Sequence, residues 1–323
     1  MVVAFLDLLG FSELLDLSTE VALDNINLFN NVIKTKVIDY ATHPIEEYED
    51  KNPGNAQFMK FVTNSAVTSF EYLISFSDSL IIGSQNLLLF IEQLSNFLST
   101  VYISSSEPFR LEFEDLFNVD SNKNMSFENG KIRKHKAFPV LFRGGLSYGD
   151  DVFFFKENSI QKGKFCYDGY NVFGKTYLNS VKLEHAGKGP RLFCDKSVID
   201  NLTYTSMIRI VDENNAIYEI VWTVEACEVS ECSSDKWNNV IKSICEKLLP
   251  AAINFVIFYS SDSKYSEVLL QYNELLKLVC RGIVRYADIN CNKAQEAMEL
   301  INKRLHKKCL NQYTIDEMLH GFL

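Results

Sequence analysis

The chain has no excess of positive charge: 32 Lys and Arg stand against 42 Asp and Glu, a formal net charge of −10 over 323 residues. That balance argues against broad electrostatic binding to nucleic acid or to an anionic membrane, and leaves room only for a local basic pocket. No Cys-x-x-Cys pair occurs among the eight cysteines, all in the second half with apolar neighbours, so they read as reduced core thiols of an intracellular protein. The sequence shows no apolar stretch of bilayer-spanning length, and Asp7 interrupts the N-terminal run where a signal peptide would be uninterrupted. The expected localisation is therefore cytoplasmic. The five histidines lack metal-ligand spacing, and no Gly-x-Ser-x-Gly elbow appears, so hydrolase triads have no support. Internal repeats and low-complexity tracts are absent as well.

What is present is material for a large core: 47% hydrophobic residues, 13% aromatic and 23% charged, far from a disordered composition. VVAFLDLL (2–9) reads as a buried strand ending at Gly10, with an acid out of place for a core. Ser12 is a candidate N-cap, and Ile26, Phe29, Ile33 and Val37 keep helical spacing. Residues 43–68 carry His43-Pro44 and Asn52-Pro53-Gly54 and read as a surface insertion. EYLISF and SLIIGS, separated only by Ser77-Asp78, predict a tight hairpin with an acid at its tip. A helix follows over Leu87 to Val101. Residues 104–136, with the basic tract KIRKHK at 131–136, read as a second solvated insertion; without interleaved aromatics that tract does not suit nucleic acid.

Strand signals resume in FPVLFRGGLSYG and DVFFFKE, taken together as a hairpin, then a helix begins near Gly174, PRLFCD is a strand, and MIRIVDENNAIYEIVWTV a further hairpin. Beyond about residue 233 the pattern is helical throughout. This order predicts an α+β fold, a ferredoxin-like, palm-type antiparallel sheet with helices. The expected division is a catalytic domain at 1–230 and a C-terminal helical appendage at 231–323.

In a βαββ sheet, Asp7 and Asp78 come side by side. Two adjacent carboxylates repel unless a cation neutralises them, so the pair points to a two-metal site. Gly10-Phe11-Ser12 follows at once, where the chain turns from strand to helix with free N–H groups that suit phosphate.

FLDLLGFSE (5–13), FSDSLII (76–82), RGGLSYGD (143–150) and GKTYLNSVKLE (174–184) resemble, in order, the signature segments of class III nucleotide cyclase catalytic domains. Within that family the chain looks most like the pyrimidine cyclases of Pycsar anti-phage systems; the resemblance covers roughly residues 3–195. It implies that Asp7, Asp78 and the backbone carbonyl of Leu8 hold two Mn²⁺ or Mg²⁺ ions, and that Arg143 contacts the triphosphate. It places Lys182 where purine cyclases carry the transition-state arginine, although a lysine lacks the guanidinium fork. Leu178 stands at the asparagine position, and Asn179 is one place off.

The implied activity converts a ribonucleoside triphosphate to its 3′,5′-cyclic monophosphate and pyrophosphate, as an anti-phage second messenger read by a downstream effector. The implied assembly is a homodimer with shared sites. Gly10, Phe11 and Ser12 would bind the phosphates. Ile74 and Asn171 occupy the positions that read adenine in purine cyclases and offer no charged pair, and Tyr72 and Tyr177 could narrow the pocket, so a pyrimidine is expected, UTP ahead of CTP. The alternative is a cyclase-derived nucleotide sensor or interaction protein without activity.

Overall fold

The structure is a computed structural model describing residues 1–12, 15, 19–33, 69–110, 125–128, 131–135, 139–162, 165–203, 205–231, 234–260 and 266–323. The expected loop at 43–68 lies outside the described residues, as does Val37.

Alternation along β1 (Val2–Leu8) sends Val2, Ala4, Leu6 and Leu8 into the main core and leaves Val3, Phe5 and Asp7 on the other face. Gly10 turns the chain with a left-handed backbone (φ 79°), and Phe11 and Ser12 are helical. Helix α1 (Thr19–Ile33) buries Ala22, Phe29 and Ile33 in the main core. β2 (Tyr72–Phe76) and β3 (Ser79–Ser84) form the expected hairpin around Ser77-Asp78. α2 (Leu87–Ser105) starts at Asn86, whose side chain accepts from the Leu89 N–H, and buries apolar residues nearly all round. Contrary to the sequence expectation, this helix is long and apolar enough to cross a membrane, but it is mostly buried inside the protein, as a core helix is.

A 3₁₀ turn at Glu107–Phe109 follows. The predicted solvated insertion instead contains a hairpin of β4 (Met125–Glu128) and β5 (Lys131–His135), so most of KIRKHK is strand. The physical reason is Asn129-Gly130 between the strands, a strong two-residue hairpin signal that outweighs the charge run.

β6 (Phe142–Tyr148) pairs with β1 on one side. It does not form the expected hairpin with β7 (Val152–Lys162), which pairs with β8 (Phe165–Gly174) in a separate ribbon. Helix α3 (Lys175–Glu184) leads on to β9 (Leu192–Asp195), which takes the free edge of β6 in parallel; with both edges of β6 filled, β7 has no place beside it. A short α4 (Lys196–Ile199) precedes the hairpin of β10 (Ile208–Asp212) and β11 (Ile217–Ile220). The resulting seven-stranded sheet runs β10-β11-β9-β6-β1-β3-β2 and is antiparallel except at β6–β9. Its β6-β1-β3-β2 portion, reached through α1 and α2, has the ferredoxin-like strand order.

The rest is helical: α5 (Thr223–Glu231), α6 (Lys236–Lys242), a π turn at Ser243–Lys247, α7 (Leu248–Ser260), α8 (Ser266–Cys291), α9 (Ala294–Lys307) and α10 (Ile315–Leu319). These helices share one continuous buried cluster with α2 and the sheet, from Val2 to Met318. Polar ties reinforce it: Tyr102 donates to the Leu248 carbonyl (2.8 Å), Trp222 Nε1 to Pro190 (2.8 Å) and Thr223 to Leu278 (2.7 Å). Cys194, Cys227 and Cys280 are buried thiols, and Cys245 and Cys291 are half-buried. Cys309 is exposed, which corrects the expectation that all are core thiols; it lies just past α9, beyond the packed face.

At the far edge of the sheet, Glu219 is fully buried and gathers Arg191, Arg209 (3.0 Å) and Arg281 (3.7 Å). Burial pushes its pKa up, but the guanidinium groups of Arg191, Arg281 and Arg209 outweigh burial and hold the carboxyl below its ordinary value. This cluster fastens α8 to β9, β10 and β11.

Candidate functional site

Strand register builds one row of side chains across four strands on the face opposite α1 and α2. Arg143 on β6 lies opposite Asp7 on β1, Asp7 opposite Ser79 on β3, and Ser79 opposite Phe76 on β2. Asp78 sits at the hairpin tip, after Ser77 in a left-handed backbone (φ 55°) that side chains such as serine seldom adopt. The Leu8 N–H donates to the Asp78 carbonyl (2.9 Å), which ties the tip to the end of β1. The two acids are therefore neighbours, as the βαββ pattern requires.

Asp7 is half-buried. Its Oδ1 accepts from the Ser79 hydroxyl (3.2 Å) and its Oδ2 from Arg143 Nη2 (3.2 Å). Burial raises its pKa, the Asp78 charge raises it further, and Arg143 pulls it down incompletely. Arg143 also forms an ion pair with Glu184, at the end of α3, whose other oxygen meets His185 Nδ1 at 2.9 Å. Glu184 is buried, and its pKa is likewise raised, by desolvation that the Arg143 and His185 contributions only partly offset and that Asp7 increases. Asp7 and Glu184 thus share one guanidinium, with Asp78 close by.

The close packing of α3 on the sheet explains Gly145, while Gly144 faces the Phe5 carbonyl oxygen, Leu6 and Leu192 on the other side. A Cβ at Gly145 would stand 2.1 Å from the Ser180 carbonyl oxygen and 2.5 Å from Leu183 Cβ, so only glycine lets α3 reach Arg143. Thr176, Ser180, Leu183 and Glu184 face inward along this helix.

The remaining sequence-predicted residues fall in several places. Gly10, Phe11 and Ser12 follow β1 directly; Phe11 packs on the core and Ser12 is exposed. Leu8 buries its side chain in the main core and reaches the site through its backbone. Lys182 and Leu178 lie on the exposed side of α3, and Asn179 is half-buried. Ile74 and Tyr177 pack in the small cluster around Val3 and Ile81 on the site's face of the sheet. Tyr72 stacks on Phe154 (4.4 Å) at the start of β2, four strand steps or about 13 Å from the Phe76 end. Asn171 is exposed on β8, opposite Phe155 in the ribbon, so neither it nor Tyr72 sits at the acid pair.

Two residues that sequence reading missed belong to the site. Glu184 was legible only as the last acid of the α3 segment, which packs against Gly145. Phe76, 74% exposed in the Asp7 row, precedes the hairpin tip as an aromatic with no core to enter.

A divalent cation fits this arrangement. Asp7 and Glu184 share one guanidinium with Asp78 beside them, and burial, which Arg143 offsets only in part, holds both Asp7 and Glu184 above their ordinary pKa, a setting in which a hard oxygen-preferring ion would add the missing positive charge. The ligands on this chain would be the carboxylates of Asp7 and Asp78 with nearby backbone oxygen. Among the described residues no group of three or more His, Cys, Asp or Glu side chains forms a ready-made metal cage, so such an ion would also need oxygen from substrate or water. No protein-family model matches the chain, and no characterised protein matches it in sequence.

Proposed function

We propose that the protein is a nucleotidyl cyclase of the class III type that converts a pyrimidine ribonucleoside triphosphate, UTP ahead of CTP, to the 3′,5′-cyclic monophosphate and pyrophosphate. The observation that carries this reading is the Asp7–Asp78 pair at the end of adjacent strands of a ferredoxin-like sheet, charge-deficient and directly followed by the Gly10 turn. In the reaction the substrate's 3′-oxygen bonds to the α-phosphorus, the bond to the pyrophosphate oxygen breaks, and the hydroxyl proton passes to water. Asp7 and Asp78 would hold Mn²⁺ or Mg²⁺, which would supply charge stabilisation for the phosphates and lower the pKa of the attacking hydroxyl.

The chain's own groups bind and orient. In this reading the N–H groups after Gly10 would receive phosphate oxygens, and Lys182, exposed on α3, would bring a positive charge to the α-phosphate. Arg143 holds Asp7 in place through their 3.2 Å contact, and its guanidinium fork is suited to triphosphate oxygens. Exposed Phe76, Phe153, Phe155, Phe173 and Leu178 form apolar surface on the site's strands, ribbon and α3, which a second copy would cover in a homodimer with shared sites. We place the enzyme in the cytoplasm, its product acting as an anti-phage second messenger through a separate effector.

A second reading, a cyclase-derived nucleotide sensor without turnover, is favoured by one observation: Arg143 is bound to two carboxylates and α3 carries leucine at position 178. Incubation with UTP, CTP, ATP and GTP and Mn²⁺, with products identified by mass spectrometry, decides between them. Cyclic UMP is expected to dominate. A dominant cyclic purine nucleotide overturns the pyrimidine assignment, and binding without product supports the sensor.

A further inference from the structure

A cavity of about 370 Å³ opens among the helices on the opposite side of the sheet from Asp7, between α7, the π turn and the end of α9. Arg110, Arg304, Lys307 and Lys308 line it, with Ile244, Pro250 and Ile253 as apolar wall and Asn254 beside them. Four cations around one cavity stand out in a chain of net charge −10.

The last-turn position of Arg304 and Lys307 suits the dipole of α9, and that alone would account for those two side chains. It does not account for Arg110, which arrives from the 3₁₀ turn after α2. That turn is fixed in place: Phe109 packs on Phe255 (4.4 Å) and its carbonyl accepts from Asn254 Nδ2 (2.7 Å). Arg110 is thereby aimed into the cavity, where Nη2 bonds the Ile103 carbonyl and Nε is buried without a hydrogen-bond partner. Among the described residues Arg304 and Lys307 form no ion pair, Lys308 has an interaction of its own, and Tyr102 and Glu107 act on Arg110 from nearby. A buried, unpartnered guanidinium donor is costly and calls for an acceptor.

We propose that this cavity is an anion site for a small molecule bearing two or more phosphate groups. Its volume exceeds what a single phosphate fills and lies in the range of small-ligand pockets. A guanidinium fork and flexible ammonium groups together suit several phosphate oxygens, and the apolar wall strengthens each contact by lowering the local dielectric.

The test uses the full chain in EDTA, so that metal-dependent binding at Asp7 and Asp78 is silent, with inorganic tripolyphosphate as probe in isothermal titration calorimetry. The expected result is saturable binding of one tripolyphosphate per chain, weakened at least tenfold by Arg304→Gln with Lys307→Gln. Arg110→Gln should weaken it similarly; because Arg110 also holds Ile103, the Arg304/Lys307 pair, exposed to no such structural demand, is the deciding variant. Absence of saturable binding overturns the proposal, and so does binding that the paired substitution leaves intact.

Discussion

Two buried charge clusters sit in the same sheet and are built in opposite ways. At the far edge, one carboxylate, Glu219, is surrounded by Arg191, Arg209 and Arg281, and its pKa falls. Near the centre, Asp7 and Glu184 share Arg143 beside Asp78, and both pKa values rise. The first cluster is complete for its acid and joins the C-terminal helices to the sheet. The second sets two acids against one guanidinium, with a third acid beside them, so burial of its carboxylates is only partly offset, the arrangement that the proposed cation would complete. The difference separates structure from chemistry more sharply than burial does, since both Glu219 and Glu184 are buried.

The largest effect should come from breaking the complete cluster. Glu219→Ala strands buried guanidinium groups, and a loss of about 3–5 kcal/mol is expected, as for removing one partner of a buried pair. Urea denaturation checks this; a loss below about 1 kcal/mol would show that the arginines find other partners. Closing the space between α3 and the sheet comes next. Gly145→Val drives side-chain atoms into the Ser180 carbonyl, displaces Arg143 from Glu184, and should cost about 1–3 kcal/mol by overpacking. It should also abolish cyclic product, measured by the same mass-spectrometric assay; unchanged turnover would show that α3 does not position the site.

The smallest effect is the one that most sharpens the contrast. A carboxyl whose folded pKa is raised contributes stability below its unfolded pKa and loses it as pH rises through the folded value. Asp7 therefore weakens the fold near neutral pH, and Asp7→Asn should equal or exceed the wild type there while falling behind it on acidification. Glu219, with its lowered pKa, behaves in the reverse sense: its contribution is present above the unfolded pKa and is lost as pH falls through the folded one. The difference in unfolding free energy between wild type and Asp7→Asn, followed from pH 7 toward pH 4, should move in favour of the wild type as pH falls. A difference independent of pH would mean that Asp7 is not perturbed.

Much of this was legible in the sequence because it is local. The acid in VVAFLDLL, the Ser77-Asp78 hairpin, and the helical spacing of Leu87 to Val101 and of the C-terminal segments depend on periodicity and turn chemistry within short windows. The pairing of β7 with β8 was not legible, because β6 loses its free edge to β9, a strand far along the chain. Glu184 was missed for the same reason: an acid at a helix end looks solvated until Gly145 is seen to bring the helix onto Arg143. The Asn129-Gly130 hairpin, by contrast, was local and was hidden by the charge beside it.

The central claim is that the acid pair is a cation site, and Mn²⁺ titration followed by electron paramagnetic resonance tests it most directly. Wild type is expected to take up Mn²⁺ in the presence of UTP, with both Asp7→Ala and Asp78→Ala losing that uptake while keeping wild-type circular dichroism. Equal Mn²⁺ uptake by wild type and both folded variants would contradict it.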